Sequence, residues 1–153
     1  MQKLKILNSK EKKALLRCID EQYGCMPDPS LTYLMNSSGK VYIINPDLSR
    51  LDDRCFRTDS VGLYLGTKTP EGVRLSIEGS QIIGRDAKRN IIDVKSADAK
   101  RWLYGENIST DEQDSCGFVI VRCKCDIIGC GKIKDGHVLN YVPKARRTNT
   151  IDI

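Results

Sequence analysis

The sequence predicts an α+β protein built from two small halves. Stretches in which apolar and polar residues alternate are typical of β-strands, and stretches with apolar residues three and four positions apart are typical of helices. Clusters of glycine and proline separate these stretches and indicate turns. A chain of 153 residues can bury a core as one domain or as two small domains packed together. We predict two domains, residues 1–70 and residues 71–153.

Charge and composition favour a polyanionic partner only weakly. The net charge is +5 and the pI is near 8.8, values that many soluble proteins share. No apolar run approaches the roughly 20 residues needed to cross a bilayer, and the first residues lack the apolar segment of a secretory signal. The seven cysteines are odd in number and irregularly spaced, which favours reduced thiols. We therefore expect a cytoplasmic protein without membrane association.

The first half predicts one helix among short strands. Asn8 or Ser9 is a favoured N-cap, Glu11 lies in the first turn, and Gly24 is the expected stop. An alternating stretch precedes this helix, and strands are predicted over residues 31–35, 41–44, 61–65 and 73–77. A short helix over 47–51 and a connection rich in glycine, threonine and proline over 66–72 complete this half.

The second half predicts strands with two short helical segments. Residues 78–84 are predicted to form a short helix or turn, and Ser96 is a favoured N-cap for a helix over residues 97–104 that Gly105 stops. The Asp135-Gly136 pair predicts a tight hairpin turn. Strands are predicted over residues 90–94, 117–125, 127–133 and 137–142, and a polar loop over 112–115.

Two basic segments have residue types suited to binding phosphate. Residues 79–89 combine glycines, which let a backbone approach a ligand, with three cationic side chains. This segment matches neither a P-loop nor a dinucleotide-binding motif. Residues 143–147 place three more cations after the last predicted strand. From the residues alone, each segment could equally be a solvated loop or tail.

The order of these segments resembles the PUA domain, a small RNA-binding module. The segment GVRLSIEGSQIIGRDAKRN runs from a strand into the first basic segment, and GFVIVRCKCDIIGCGKIKDGHVLNYVPKARR ends in the second. The resemblance implies a small α/β domain, similar to those that precede PUA domains, followed by a PUA-like mixed β-barrel with two short helices. In PUA modules the last strand lies beside the first strand-to-helix turn, and RNA follows the surface that they share.

By that resemblance, the RNA-contacting residues come from both basic segments. Tyr141, near the second segment, is the aromatic residue best placed along the sequence to stack on a base. The predicted RNA-binding residues are Gly79, Ser80, Gly84, Arg85, Lys88, Arg89, Tyr141, Lys144, Arg146 and Arg147.

Two groups of PUA proteins are similar to different parts of the chain. The series SVGLYLG, VRLSIEGSQIIG, AKRNIIDV and KRWLYGENI resembles small two-domain ribosome-assembly proteins. This resemblance implies a non-enzymatic protein that binds structured rRNA or tRNA in ribosome biogenesis, rRNA processing or tRNA modification, with a protein partner on its first half. The ending CGKIKDGHVLNYVPKARR resembles the tails of Nop/Sun RNA cytosine-5 methyltransferases, which implies an accessory RNA-binding subunit of a separate RNA-modifying enzyme.

The sequence favours the first of these hypotheses. A methyltransferase of the Nop/Sun group needs a large cofactor-binding domain and a catalytic cysteine that follows a proline. None of the seven cysteines here follows a proline. We therefore expect a chain that is not itself an enzyme and that uses no cofactor.

Other kinds of chemistry have weaker support. Three cysteines could form a zinc cluster, but their spacing is not that of common zinc motifs, so burial without metal is expected. These cysteines are Cys123, Cys125 and Cys130. His137 has no arrangement of partners that would indicate a general base. We expect Trp102 and Tyr104 to pack in the interior rather than to stack on RNA bases.

Overall fold

In a computed structural model that describes residues 3–45, 62–111 and 117–148, the chain forms three α-helices and two five-stranded sheets. The predicted helix at 47–51 and the predicted loop at 112–115 lie outside the described residues. The α+β class is confirmed. The helices are α1 (Ser9–Tyr23), α2 (Ile77–Gly84) and α3 (Ser96–Leu103). None of the helices in these ranges is long and apolar enough to span a membrane.

The two sheets divide the strands by chain order. The first sheet contains, each beside the next, β1 (Lys5–Ile6), β2 (Thr32–Met35), β3 (Lys40–Ile44), β4 (Leu63–Thr69) and β5 (Gly72–Leu75). The second contains β6 (Ile91–Asp93), β7 (Ile108–Ser109), β8 (Gly117–Cys123), β9 (Asp126–Lys134) and β10 (His137–Asn140). Its spatial order is β6-β8-β9-β10-β7, with β6 parallel to β8 and the other pairs antiparallel. A 3₁₀ turn, Lys144–Arg146, follows β10.

Helix α1 begins and ends where the sequence predicts. The Asn8 side chain accepts a hydrogen bond from the Glu11 amide at 2.8 Å, and the Glu11 carboxylate accepts one from the Asn8 amide at 3.3 Å. This reciprocal pair satisfies two amides that the helix itself cannot. The helix ends at Gly24, whose φ of +70° suits glycine. Its buried face consists of Leu15, Leu16, Ile19 and Tyr23.

The predicted connection at 66–72 is wrong, because those residues belong to the hairpin of β4 and β5. A Cβ atom on Gly66 would lie 2.4 Å from the carbonyl oxygen of Arg74, so this glycine allows two strands to approach closely. Strand β5 ends earlier than predicted because Ser76 caps α2, its hydroxyl accepting a hydrogen bond from the Gly79 amide at 2.8 Å.

The second sheet contains one turn that the sequence analysis missed. The strand predicted over 117–125 ends at Cys123, and a two-residue turn of Lys124 and Cys125 leads into β9. Cys123 is buried while Cys125 is exposed, so the two thiols do not share a strand face. The Asp135-Gly136 turn is confirmed, with φ values of +52° and +77°.

Two smaller differences concern helix α3 and strand β7. The N-cap of α3 is Lys95 rather than Ser96, which is the first helical residue. Strand β7 has only two residues, too few for a pattern of alternation, and it was not predicted. Trp102 packs in the interior as expected, fully buried with its indole donating a hydrogen bond to the Ile128 carbonyl at 3.3 Å.

One hydrophobic core crosses from the first sheet to the second. Residues of α1 and of strands β2 to β5 pack in one cluster with Ile83, Phe118, Ile120 and Cys130. A second cluster surrounds Trp102 inside the second sheet. The core that the two sheets share is therefore built from residues on both sides of position 70.

Polar contacts also join the two halves at the end of α1. The Tyr23 hydroxyl donates to the Val73 carbonyl at 2.6 Å, and the Tyr23 carbonyl accepts from the Lys88 amide at 2.8 Å. Strand β5 lies after position 70 and still pairs with β4 before it. The division into domains 1–70 and 71–153 stays a prediction, and these contacts tie the two parts closely together.

Candidate RNA-binding surface

The start of α2 and the segment after β10 lie side by side. Glu78 is in the first turn of α2, and Arg146 is in the 3₁₀ turn that follows the last strand. The Arg146 guanidinium donates to the Glu78 carboxylate, with 2.6 Å between Nη1 and Oε1. Two segments that are 68 positions apart in the sequence therefore form one surface.

A cavity of about 170 Å³ lies on this surface. The Arg74 guanidinium carbon is 4.8 Å from the centroid of the Tyr141 ring, and the Tyr141 and Phe118 rings form a T-shaped pair with their centroids 6.3 Å apart. Tyr141 is 36% exposed, so part of its ring is open to a ligand. The side chains that give the cavity its chemistry are Tyr64, Arg74, Ser76, Glu78, Tyr141 and Arg146. An aromatic ring beside two guanidinium groups can stack on a base and bind a phosphate.

The ion pair between Glu78 and Arg146 sets the charge at the mouth of the cavity. Partial burial is the largest single effect and opposes ionisation of the Glu78 carboxyl, but the hydrogen bond from Arg146, a backbone hydrogen bond and the charge of Arg146 together outweigh it and lower the pKa below the ordinary value. The carboxylate is therefore charged at neutral pH. Because it occupies Arg146, a phosphate that binds here must share or displace this partner.

The thiol behind the cavity is unreactive. Cys130 lines the cavity and is only 4% exposed. Burial raises the pKa of its thiol to about 11, so it stays protonated at neutral pH. A protonated thiol is a poor nucleophile and a poor metal ligand. Within residues 3–45, 62–111 and 117–148, no group of three or more His, Cys, Asp or Glu side chains could hold a metal ion.

Three of the predicted RNA-binding residues are buried inside α2. A Cβ atom on Gly79 would lie 1.9 Å from the Leu65 carbonyl oxygen, and one on Gly84 would lie 3.1 Å from Ile127. Ser80 is fully buried, with its hydroxyl donating to the Ser76 carbonyl at 2.7 Å. These residues let α2 pack against the two sheets, and we leave them out of the surface proposed below.

The first basic segment lies at the other end of α2. Arg89 donates from Nη2 to the Asp20 carbonyl at 2.8 Å, at the end of α1, and Lys88 packs over Gly24. Arg85 is exposed at the C-terminal end of α2. Eight helical residues span about 12 Å, so these cations are separated from Arg146 by the length of the helix. The two predicted basic segments do not converge on one point.

The remaining predicted cations differ in their contacts. Lys144 is exposed in the 3₁₀ turn. Arg147 donates from Nε to the Val142 carbonyl at 3.2 Å and lies against Gly105 at the end of α3. Arg147 therefore helps to hold the segment after β10 in place, which positions Arg146 beside α2.

Sequence reasoning missed Arg74 and Tyr64. In β5 the buried Val73 and Leu75 flank the half-buried Arg74, so the strand pattern does predict that Arg74 faces away from the core. That pattern cannot say which residues Arg74 meets, because Tyr141 follows the last strand of the other sheet, 67 positions later by numbering.

Comparison with known proteins agrees with the predicted domain type. The family model described as the Methyltransferase RsmF PUA domain matches residues 89–148. Over these residues the chain is similar to a PUA domain. It resembles the tails of the Sun methyltransferases, and a PUA domain implies RNA binding. The matched range contains Tyr141 and Arg146, while β5 and α2 precede it.

Curated relatives extend this similarity into the first half. Ribosomal RNA small subunit methyltransferase F of Aeromonas hydrophila subsp. hydrophila is 26% identical over 138 residues, which is 90% of this chain and 28% of the relative. The protein of that name from Aeromonas salmonicida is 25% identical over the same shares. That from Vibrio atlanticus is 26% identical over 89 residues, 58% of this chain and 19% of the relative. The chain spans less than a third of the length of these relatives.

The relatives correct the expectation of a non-enzymatic protein. They are named as methyltransferases, and a methyltransferase is an enzyme. They favour the second functional hypothesis, an accessory RNA-binding subunit of an RNA methyltransferase or other RNA-modifying enzyme, over a separate ribosome-assembly protein. The absence of a catalytic cysteine motif misled the sequence analysis, because the chain corresponds to only 28% of those enzymes.

Proposed function

We propose that this chain binds structured ribosomal RNA as the RNA-holding part of a cytoplasmic RNA methyltransferase. The observation that carries the proposal is the cavity in which Tyr141, Arg74 and Arg146 meet at the start of α2. The similarity of 90% of the chain to proteins named as rRNA methyltransferases supports the choice of RNA and of reaction.

The cavity suits one unpaired nucleotide. Proteins that read RNA often stack a splayed-out base on an aromatic ring or a guanidinium plane, and Tyr141 and Arg74 offer both. Arg146, 50% exposed at the cavity mouth, is available to a phosphate on its outer side. Glu78 can accept hydrogen bonds from base amino groups, which would favour bases that carry them.

The first half has a separate part in the proposal, which is to contact the catalytic domain of the methyltransferase. The supporting observation is the extent of the match to the relatives, which covers 138 residues and therefore reaches well before residue 89. A partner that lies against the first sheet would hold the cavity at a set distance from the catalytic centre.

RNA binding at two salt concentrations tests the main proposal. Fragments of small-subunit rRNA with unpaired loops are titrated with the chain and with the variant Tyr141→Ala. Loss of one stacked base costs about 1 to 3 kcal/mol, so affinity should fall by about fivefold or more with little change in salt slope. Arg146→Ala should weaken binding and also lower the salt slope by about 0.7 units, as expected for one phosphate contact on a single strand.

Matched variants distinguish RNA binding in the cavity from nonspecific attraction between RNA and the positive charge of the protein. Tyr141→Phe keeps the ring and should bind RNA as the unchanged chain does. Lys13→Ala removes one exposed charge from α1, far from the cavity in the sequence, and should have little effect. Equal binding of rRNA by Tyr141→Ala and Tyr141→Phe would contradict the proposal that RNA binds in the cavity. Tighter binding of transfer RNA fragments than of rRNA fragments would contradict the proposal that the ligand is ribosomal RNA.

A further inference from the structure

A second cationic surface lies at the C-terminal end of α2, outside the cavity described above. It is an open groove of about 800 Å³ between α2 and the turn that joins β8 to β9. Its polar lining residues are Gln81, Arg85, Arg122, Lys124 and Asp126. The lining therefore contains three cationic side chains and one carboxylate, so the net charge of the lining side chains is positive.

The three cations differ in how they are held. Asp93 binds Arg122 through two hydrogen bonds of 2.6 and 3.0 Å, which fixes that side chain beside the groove. Arg85 and Lys124 are exposed, and no carboxylate among the described residues forms an ion pair with either. Lys124 sits in the two-residue turn with a φ of +57°, so the β8–β9 ladder sets its direction. Two side chains are therefore available to an anionic ligand.

The outer face of α2 connects the groove with the cavity. Residues Glu78, Gln81, Ile82 and Arg85 are three and four positions apart, which places them in one row along the helix. Ile82, in the middle of this row, is 44% exposed although it is apolar. The helix is about 12 Å long, a distance that about four stacked nucleotides cover.

We propose that an RNA strand held in the cavity continues along the outer face of α2 and that its phosphates bind Arg85 and Lys124 in the groove. This inference rests on the proposed function, since it extends the same RNA beyond the first nucleotide. Ile82 contacts a base or ribose between the two sites. The groove accordingly adds affinity only for RNA long enough to reach it.

RNA length is the variable that tests this inference. The double variant Arg85→Ala/Lys124→Ala is compared with the unchanged chain on single-stranded RNA of about three and about twelve nucleotides. The longer RNA should bind the variant about tenfold more weakly, with a salt slope lower by about 1.4 units for two lost phosphates. The shorter RNA should bind both proteins equally. Ile82→Glu, which places a carboxylate in the middle of the row, should also weaken only the longer RNA.

A double variant that removes the same charge elsewhere on the protein shows whether the effect comes from the groove itself. Lys13→Ala/Lys134→Ala removes two exposed charges, and Lys134 lies at the opposite end of β9 from the groove. Equal loss in both double variants, or unchanged binding of the longer RNA by Arg85→Ala/Lys124→Ala, would overturn the groove while leaving the cavity site intact. Absence of RNA binding by the unchanged chain would instead overturn the proposed function, and capture of a protein through the groove would replace RNA as its occupant.

Discussion

At the scale of single residues, Glu78 controls how available Arg146 is. Its carboxylate accepts a 2.6 Å hydrogen bond from the guanidinium and competes with any phosphate for the same donors. The pKa of Glu78 is lowered in the folded chain, so the pair stabilises the fold above the ordinary carboxyl pKa. That contribution is lost as the pH falls through the lowered pKa. Both side chains are at least a third exposed, so the stabilisation is small.

Glu78→Gln should therefore strengthen RNA binding. The substitution removes a negative charge beside the phosphate site and frees Arg146 for one further contact. We expect affinity to rise by about threefold to tenfold and the salt slope to steepen by about 0.7 units. Titration of RNA at several salt concentrations measures both. The control is Asp98→Gln, a similar loss of charge on α3. Weaker binding by Glu78→Gln would mean that the carboxylate itself contacts the RNA.

The site residues also indicate what a sequence can predict at this scale. Arg146 was predicted because it belongs to a short basic segment after the last strand, and Tyr141 was predicted because it is the aromatic residue near that segment. Arg74 was not, since its partner Tyr141 follows the last strand of the other sheet and is far away in the sequence. Gly79 was assigned to RNA for its backbone freedom, whereas the carbonyl of Leu65 is what requires a glycine there.

At the scale of elements, α2 organises the candidate surface. Its buried side holds Gly79, Ser80, Ile83 and Gly84 against the sheets, and its outer side connects the cavity with the groove. Gly79 lets this eight-residue helix lie close to strand β4, because a larger side chain would meet the backbone of Leu65, and Gly84 leaves room for the Ile127 side chain of β9. Their role is to position the outer row rather than to contact a ligand.

Gly79→Ala should consequently destabilise the fold. The added Cβ would lie 1.9 Å from the Leu65 carbonyl oxygen, and backbone atoms cannot move aside as a flexible side chain can. We expect a loss of about 2 to 4 kcal/mol in the free energy of unfolding, measured by denaturant titration. Gln81→Ala, on the exposed side of the same helix, should change it by less than about 0.5 kcal/mol. Normal stability with impaired RNA binding would restore Gly79 as a ligand contact.

Most element positions followed from local signals, and the misses have physical reasons. The capping box of α1 and the Asp-Gly turn are chemical signatures within a few residues. The turn at Lys124 and Cys125 carries no such signature, because neither residue is one of the usual turn formers. The sequence placed Gly66 in a connection between the two halves. In the structure Gly66 lies in strand β4, where the absence of a side chain lets the Arg74 carbonyl of β5 approach.

At the scale of the whole molecule, the two sheets share one core. Tyr23 of α1 is fully buried. Its hydroxyl donates a hydrogen bond to the Val73 carbonyl and contacts Cys130 of β9. A sequence predicts two halves when a segment rich in glycine and proline lies between them, but it does not reveal contacts that cross the segment. The first half is therefore part of what supports the cavity.

The shared core predicts a single cooperative unfolding transition. Fluorescence of Trp102 reports on the second sheet, and far-ultraviolet circular dichroism reports on all helices and strands. If both halves depend on one core, the two signals should change at the same denaturant concentration. Tyr23→Ala should lower that midpoint for both signals together. Two separate midpoints would support the division at residue 70 as one between independent domains.

The central claim is that RNA binds where the start of α2 meets the end of the last strand. The most direct measurement is the affinity of Tyr141→Ala for unpaired rRNA relative to that of Tyr141→Phe, with thermal unfolding used to verify that both variants fold. We predict that the alanine variant binds at least about fivefold more weakly, because only the phenylalanine variant keeps the ring on which a base stacks. Equal affinities in two folded variants would contradict the claim and move the RNA to another surface of the molecule.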